Sequence, residues 1–183
     1  MEDIPRDILT RASRGDMEAF EHIYKAVSGF VFNVALRITN SSHDAEEVTQ
    51  DVFMKVYKSL PAFEFRSSLR TWIYRITVNT AINSRKRISK EMDRRSDYDT
   101  AIKTQPAPET ADARVNQTDQ ERAVASLLSV LNPEQRACVV LREIEGLSYQ
   151  QISEALKINI NTVRSRLKRA REALLASRKS EVG

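Results

Sequence analysis

Five cations crowd two turns near the C-terminus. Arg164, Arg166, Lys168, Arg169 and Arg171 all lie within SYQQISEALKININTVRSRLKRAREALL, Ser148 to Leu175. Like charges four residues apart on a helix repel by about 0.2–0.5 kcal/mol per pair, so something outside the chain should compensate. Lys and Arg neutralise phosphates, and the counterions they displace supply affinity. Val163, Leu167, Ala170 and Leu174 are spaced i, i+4, i+7, i+11, which makes one buried stripe. At 3.6 residues per turn, Arg164, Ser165, Lys168 and Arg169 then project from the opposite side. A short helix carrying Ile152, Ala155 and Leu156 precedes them, and the turn KINI joins the two. Such a pair predicts a helix-turn-helix whose second helix can enter a major groove. There Arg164 or Lys168 can reach guanine acceptors, and Ser165 can bond a base edge. Thr162 and the free N–H groups at the helix start suit a phosphate. The competing reading, a solvated charged face, leaves the stripe, the turn and the capped first helix unexplained.

A second constellation lies in the first half. Arg75, Asn79, Asn83 and Arg87 recur every four residues, so they share a helix face, with Lys86 beside them. Asn is a poor mid-helix residue because its side chain competes for backbone hydrogen bonds. Phe63, Phe65 and Trp72 lie just upstream, and aromatics beside a basic groove are how unstacked bases are held. The plainer reading makes Trp72 and the phenylalanines core and lets the Asn pair bond a neighbouring helix; the residues alone leave both open. A third group, in HDAEEVTQD, sets Asp44, Glu47 and Asp51 on one face with Glu46 nearby. Carboxylates suit a helix N-terminus. The same face could dock a basic protein. A metal site using His43 or these carboxylates lacks a second constellation to complete it, and His22 has no evident role.

The elements that must carry these groups read as all-α. Four Gly and five Pro in 183 residues leave few places to turn a sheet. Helices are predicted over about 5–14, from an Asp16 cap through Phe20, Ile23, Tyr24, Val27, Val31, Val34, Ala35 and Ile38, over 43–59 after a Ser cap, and over 68–88. The third carries Val48, Val52, Phe53, Val56 and Leu60, and Pro61 ends it; the fourth turns Leu69, Trp72, Ile73, Ile76 and Thr80 inward. These make one small helical domain, 1–90. Residues 91–120 lose periodicity, contain Pro and are acidic, and read as a flexible linker. Periodicity returns with the stripe Val124, Leu127, Leu128 and Leu131, and 121–183 read as a second small domain of four helices, the helix-turn-helix included. Within it Asn132 and Ser148 open helices with capping boxes, and Asn161 is the expected cap of the last. Charge follows this division: net +3 over 1–90, −4 over 91–121 and +5 over 122–183. Two basic blocks flanking an acidic strap suit a polyanion.

Cys138, the single cysteine, sits in the apolar run ACVVL and reads as core. No Cys/His cluster has zinc spacing, and neither a signal-peptide core nor an 18-residue apolar span is present. The expectation is a cytoplasmic protein with no membrane insertion, no metal and no cofactor.

Taken together, these residues resemble the extracytoplasmic-function (ECF) class of bacterial RNA polymerase sigma factors. The likeness rests on DAEEVTQDVFMKVYKSLPAFEFRSSLRTWIYRITVNTAINSRKR, Asp44 to Arg87, and on LNPEQRACVVLREIEGLSYQQISEALKININTVRSRLKRAREAL. Both occur in this order across an acidic linker, and the middle domain of primary sigma factors has no counterpart. The resemblance implies that 1–90 corresponds to sigma domain 2 and 121–183 to sigma domain 4. It implies that Asp44, Glu47, Gln50, Asp51 and Phe53 dock on the clamp of core RNA polymerase. The loop from Phe63 to Ser68 would pocket a flipped base. Phe63, Phe65, Trp72, Arg75, Asn79, Asn83 and the run Arg85-Lys86-Arg87 would meet the minus-ten element. Arg142, Tyr149, Thr162, Arg164, Ser165, Lys168 and Arg169 would meet the minus-thirty-five element. The linker would thread toward the polymerase active-site channel. It further implies promoter DNA as ligand, an anti-sigma factor covering the polymerase-binding face, and a stress or envelope response.

Two positions depart from that class: Lys157 and Asn161 stand where glycines are common in the turn. Lys157 must then avoid a positive φ or accept its strain. Two other functions fit parts of the pattern. A stand-alone helix-turn-helix transcriptional regulator would leave the Asn row and acidic face without a task. A metal-dependent phosphodiesterase would use Asp44, Glu47 and Asp51.

Overall fold

Helix starts follow capping chemistry. The computed structural model describes residues 4–65, 67–98 and 119–180, and among these there are helices and turns but no strand. Helix α1 is Arg6–Ser13. Asp16 accepts the Ala19 N–H at 3.1 Å and opens α2, Met17–Thr39. Asn40 ends α2 in the left-handed region, φ 59°, where Asn is tolerated better than most side chains. Ser41 accepts the Asp44 N–H at 3.2 Å and opens α3, Ser42–Ser59. A 3₁₀ turn, Leu60–Ala62, follows around Pro61. Ser68 then accepts the Thr71 N–H at 3.1 Å and starts α4, Leu69–Tyr98, which continues past the end near 88 that the apolar pattern predicts.

The second half begins with α5, Asp119–Ser129; most of the expected linker lies outside the described residues. Asn132 and Gln135 cap each other's backbone and open α6, Pro133–Val139. The chain winds on as a π turn, Val140–Ile144, in which the Glu145 N–H donates to the Val140 carbonyl at 3.0 Å. Gly146 leaves that turn at φ 71°, where a side chain would be strained. Ser148 and Gln151 form the second capping box and open α7, Tyr149–Leu156. The last helix, α8, is Ile160–Ser180. Its cap is Asn159, whose Oδ1 accepts the Asn161 N–H at 2.8 Å. The expectation of Asn161 as cap is therefore two residues late. With Asn at both positions, only the backbone path out of Ile158 decides between them.

In the first half α2, α3 and α4 bury Ile23, Val27, Val31, Val48, Val52, Val56, Ile73 and Val78 between them. In the second, Cys138, Leu141, Ile152, Val163, Leu167 and Ala170 are buried. Burial pushes the Cys138 thiol up to about 11, as a core cysteine requires. The two sets join in one continuous hydrophobic cluster. Two parts of the expected stripes face water instead. Tyr24 is 45% exposed, and Val124 and Leu127 are 40% and 52% exposed, while Leu128 and Leu131 are buried. The body thus meets α5 at its C-terminal end, so periodicity in its earlier turns does not become burial.

Lys157 closes α7 at φ 52°, ψ 45°, a conformation that disfavours any residue with a Cβ by about 1–2 kcal/mol. Lys157→Gly should therefore raise stability by about 1 kcal/mol, read as a higher urea midpoint at unchanged slope. A lower midpoint would show that the lysine side chain contributes more than its backbone strain removes.

Candidate nucleic-acid interface

The apolar stripe of α8 seats that helix on α6 and α7 and so decides which cations face out. Val163, Leu167 and Ala170 are buried, and Arg164, Ser165, Lys168 and Arg169 are exposed. Arg166 belongs to a different set: it is half-buried and turned toward Cys138 and Glu134. The outward groups make light contacts. Arg164 donates to Asn161 Oδ1 at 3.0 Å, and Lys168 lies 3.9 Å from Glu172. Ser165 donates to the Asn161 carbonyl at 2.8 Å, which leaves its oxygen lone pairs for a second partner. Thr162 is half-buried at the helix start. Arg142 and Tyr149 act as a pair: the guanidinium lies 5.1 Å from the ring centroid and donates to the Leu147 carbonyl at 2.9 Å. Arg171 is held by Tyr149 and by Glu143 at 3.3 Å, and both raise its pKa.

On α4, Arg75 and Asn79 are half-buried while Asn83 and Arg87 are exposed. Lys86 Nζ lies 2.7 Å from a Glu134 oxygen, and that contact lowers the Glu134 pKa against the opposing effect of burial. Arg87 lies 3.8 Å from Glu47. Upstream, the Phe63 ring centroid lies 4.9 Å from both Phe65 and Trp72. These three aromatics divide the work. Trp72 is 8% exposed and forms a wall of the core, so it meets a ligand through its edge at most. Phe63 is half-buried. Phe65 is 44% exposed, in the left-handed region at φ 56°, and carries the Arg6 guanidinium 5.3 Å from its ring centroid. A bulky residue held there is strained, and such strain collects at ligand clamps.

On α3, Glu46, Glu47, Gln50 and Asp51 are exposed and Asp44 is half-buried. Phe53 departs from the expected docking set. It is 7% exposed, with its ring 4.5 Å from Tyr24, because its position falls on the buried stripe of α3. It supports the acidic face from beneath. No group of three His, Cys, Asp or Glu among the described residues could hold a metal ion.

Sequence reasoning missed a polar cluster where the two halves meet. The Tyr74 hydroxyl donates to Glu145 Oε2 at 2.6 Å, Arg37 lies 3.3 Å from Oε1, and Arg70 lies 3.7 Å from Oε2. The Glu145 side chain is 10% exposed. Burial, then the Glu145 carboxylate, raises the Tyr74 pKa far above its ordinary value, so the phenol remains a donor. Nearby, Arg136 is 3% exposed and donates to the carbonyls of Ile38, Ser129 and Leu131 at 3.0, 3.2 and 3.1 Å. Burial, and secondarily the Arg85 charge, push Arg136 down to about 10, so it is still a cation at neutral pH. An Arg opening an apolar run, RACVVL, is the one local signal of this.

Fold and surface together define a two-part helical class, with a duplex-sized basic helix on one part and an aromatic-edged polar helix on the other. Comparison with known proteins agrees. A family model described as Sigma-70 region 2 matches residues 23–91, and one described as Sigma-70, region 4 matches residues 121–174. The RNA polymerase sigma-H factor of Pseudomonas aeruginosa is 33% identical over 178 residues, covering 92% of this chain and 91% of the relative. The ECF RNA polymerase sigma-E factor of Haemophilus influenzae is 32% identical, with 91% of each chain covered. The chain belongs to the sigma-70 family, in its extracytoplasmic-function class. Among solved structures, CnrH in complex with the cytosolic domain of CnrY matches 97% of this chain and 99% of that one, with a TM-score of 0.68 at 22% identity. The sigma factor RpoE from Bartonella quintana, in complex with the anti-sigma factor NepR, matches 87% and 96% with a TM-score of 0.64 at 24% identity. Both share the fold. No helix among the described residues is long and apolar enough to cross a membrane.

The exposed Phe65 and the buried Trp72 should separate on mutation. Phe65→Ala should leave the melting temperature nearly unchanged and weaken binding of a single-stranded oligonucleotide by about 1–3 kcal/mol. Trp72→Ala should instead lose about 3–5 kcal/mol of stability. Equal thermal losses in both variants would show that Phe65 is a packing residue.

Proposed function

We propose that the protein is a promoter-specificity subunit. It binds core RNA polymerase, places it on promoters through two DNA contacts, and helps open the start-proximal element. The observation that carries this reading is the pairing, in one chain, of an outward cation face on a helix-turn-helix with a strained, exposed aromatic beside a polar helix row. The first suits duplex DNA and the second suits an unstacked base. In this reading Arg164, Ser165, Lys168 and Arg169 engage the minus-thirty-five element, with Thr162 on a phosphate and the Arg142–Tyr149 pair beside them. Phe63, Phe65, Arg75, Asn79, Asn83, Lys86 and Arg87 engage the minus-ten element. Residues 1–90 and 121–183 serve as the two functional parts, with 91–120 as the strap between them. The polymerase docks on Asp44, Glu47, Gln50 and Asp51, which present carboxylates and an amide to a basic partner. No step of this reading asks the chain for catalysis, and it works beside polymerase in the cytoplasm. An inhibitory anti-sigma protein completes the proposal. One structural neighbour, the sigma factor RpoE, is seen in complex with the anti-sigma factor NepR.

Run-off transcription with purified core polymerase, with and without the protein, on promoter fragments from its own genome tests the reading. Specific transcripts should appear only on addition of the protein, and Asp51→Ala should lower holoenzyme formation without weakening promoter contacts. Tight duplex binding by the protein alone, with no transcripts, would make it a stand-alone regulator instead. Arg164→Ala should weaken binding to the cognate promoter by about 1–3 kcal/mol while leaving unrelated duplexes nearly unaffected. An equal loss on every duplex, with a shallower salt dependence, would make Arg164 a phosphate contact.

A further inference from the structure

Helix α1 has no part in the proposed binding sites, yet it touches one of them. It seats Leu9 and Ala12 in the core. Its first residue, Arg6, places its guanidinium 5.3 Å from the centroid of the Phe65 ring. A cation at a helix N-terminus opposes the helix dipole, at a cost of about 0.3–1 kcal/mol, so α1 by itself does not favour an arginine there. Phe65 is disfavoured in its turn. Its left-handed backbone costs about 1–2 kcal/mol, and its ring is 44% exposed. Neither residue gains from its own position, and each gains from the other.

Together they complete a row. Trp72 lies 4.9 Å from Phe63, Phe63 lies 4.9 Å from Phe65, and Phe65 lies 5.3 Å from the Arg6 guanidinium. The row starts at the core wall on α4 and ends on the surface at α1. Exposure rises along the rings, from 8% at Trp72 through half-buried Phe63 to Phe65. A stack open at its outer ring can extend onto a base. That requires an outer ring held still, because a loop aromatic that turns freely loses part of the stacking energy to being ordered. A guanidinium over a phenyl face attracts it by about 0.5–1 kcal/mol at an exposed site, which offsets much of the strain in the Phe65 backbone. Arg6 is thus placed to hold the ring, and α1, tied to the core by Leu9 and Ala12, is placed to hold Arg6.

We propose that Arg6 is a positioning residue for single-stranded nucleic acid: from α1 it fixes the Phe65 ring in its left-handed loop, so that an unstacked base can lie on the rest of the ring's surface. The inference deepens the single-strand part of the reading above and rests on it. Arg6 acts through the ring rather than on a phosphate. Arg6→Ala therefore releases the ring, and Arg6→Lys keeps a cation over it. Phe65→Ala removes the ring and, with it, the role of Arg6.

The test titrates the full chain with dye-labelled DNA single strands of random sequence, about twelve nucleotides long, since stacking tolerates any base. Anisotropy of the dye gives the affinity. Fluorescence of Trp72, the single tryptophan, reports binding from within the row itself. Arg6→Ala should weaken binding about two- to fivefold, at unchanged melting temperature, and Arg6→Lys should restore most of the loss. In a Phe65→Ala background the same Arg6→Ala change should have no further effect. An equal fold-loss in both backgrounds, with a shallower salt dependence, would make Arg6 an independent phosphate contact and overturn the positioning role. Tighter binding by Arg6→Ala would overturn it too, by showing that the guanidinium covers the surface a base needs. A lowered melting temperature in Arg6→Ala, with no rescue of binding by Arg6→Lys, would reduce Arg6 to packing. Unchanged binding by Arg6→Ala where Phe65→Ala weakens it would overturn the role of Arg6 alone. Unchanged binding by Phe65→Ala would overturn both that role and the base-holding reading of the loop.

Discussion

Arg136 is where the structure concentrates its electrostatic risk. A guanidinium buried to 3% exposure is costly unless its donors are used. Its Nη atoms are used on three carbonyls, two closing the α5–α6 corner and one at the end of α2, while its Nε lies buried with no partner among the described residues. The corner carbonyls fix α6 relative to α5, and Ile38 fixes both relative to the first half. Everything downstream inherits that placement. The π turn begins where α6 ends, Glu145 leaves the π turn, and α7 and α8 follow within a few residues. Leaving a buried donor unpaired costs about 1–3 kcal/mol, and more when the group is charged, so the joint tolerates little rearrangement.

Helix starts were legible in the sequence because capping is local. Asp16, Ser41, Asn132 and Ser148 each accept from the N–H three residues on, a relation a reader can check with no tertiary knowledge. The stripe of α8 and its outward cations were legible for the same reason, since one period decides them. Errors came where the deciding partner is distant or the choice is degenerate. Asn159 and Asn161 are the same residue type two apart. Val124 and Leu127 have the right spacing but lie on turns of α5 that the body leaves uncovered.

The cluster around Glu145 shows the limit more sharply. Tyr74 reads as one more apolar residue in an apolar helix, and Glu145 as a polar residue before a glycine. Neither has a period or motif to mark it. Only the fold reveals that a 71-residue separation in sequence becomes a 2.6 Å hydrogen bond. A sequence reading that finds two domains and a linker has no term for how the domains meet, because that depends on complementary single residues rather than on patterns.

The crowding of charge on α8 can now be weighed. Its outward cations are not left bare, but the partners they have are neighbours on the surface: Asn161 for Arg164, Glu172 for Lys168, Glu143 and Tyr149 for Arg171. Exposed pairs of this kind contribute about 0–1 kcal/mol, enough to offset the helix's self-repulsion and too little to compete with phosphate. The same logic does not hold at α4. There Lys86 meets Glu134 at 2.7 Å across the junction of the halves, and the carboxylate of Glu145 is nearly buried. The outward cations of α8 thus keep partners on their own surface, whereas Lys86 of α4 is paired with the second half while Asn83 and Arg87 beside it stay exposed. The two basic helices thus differ in whether their counter-charges come from their own surface or from the other half of the chain.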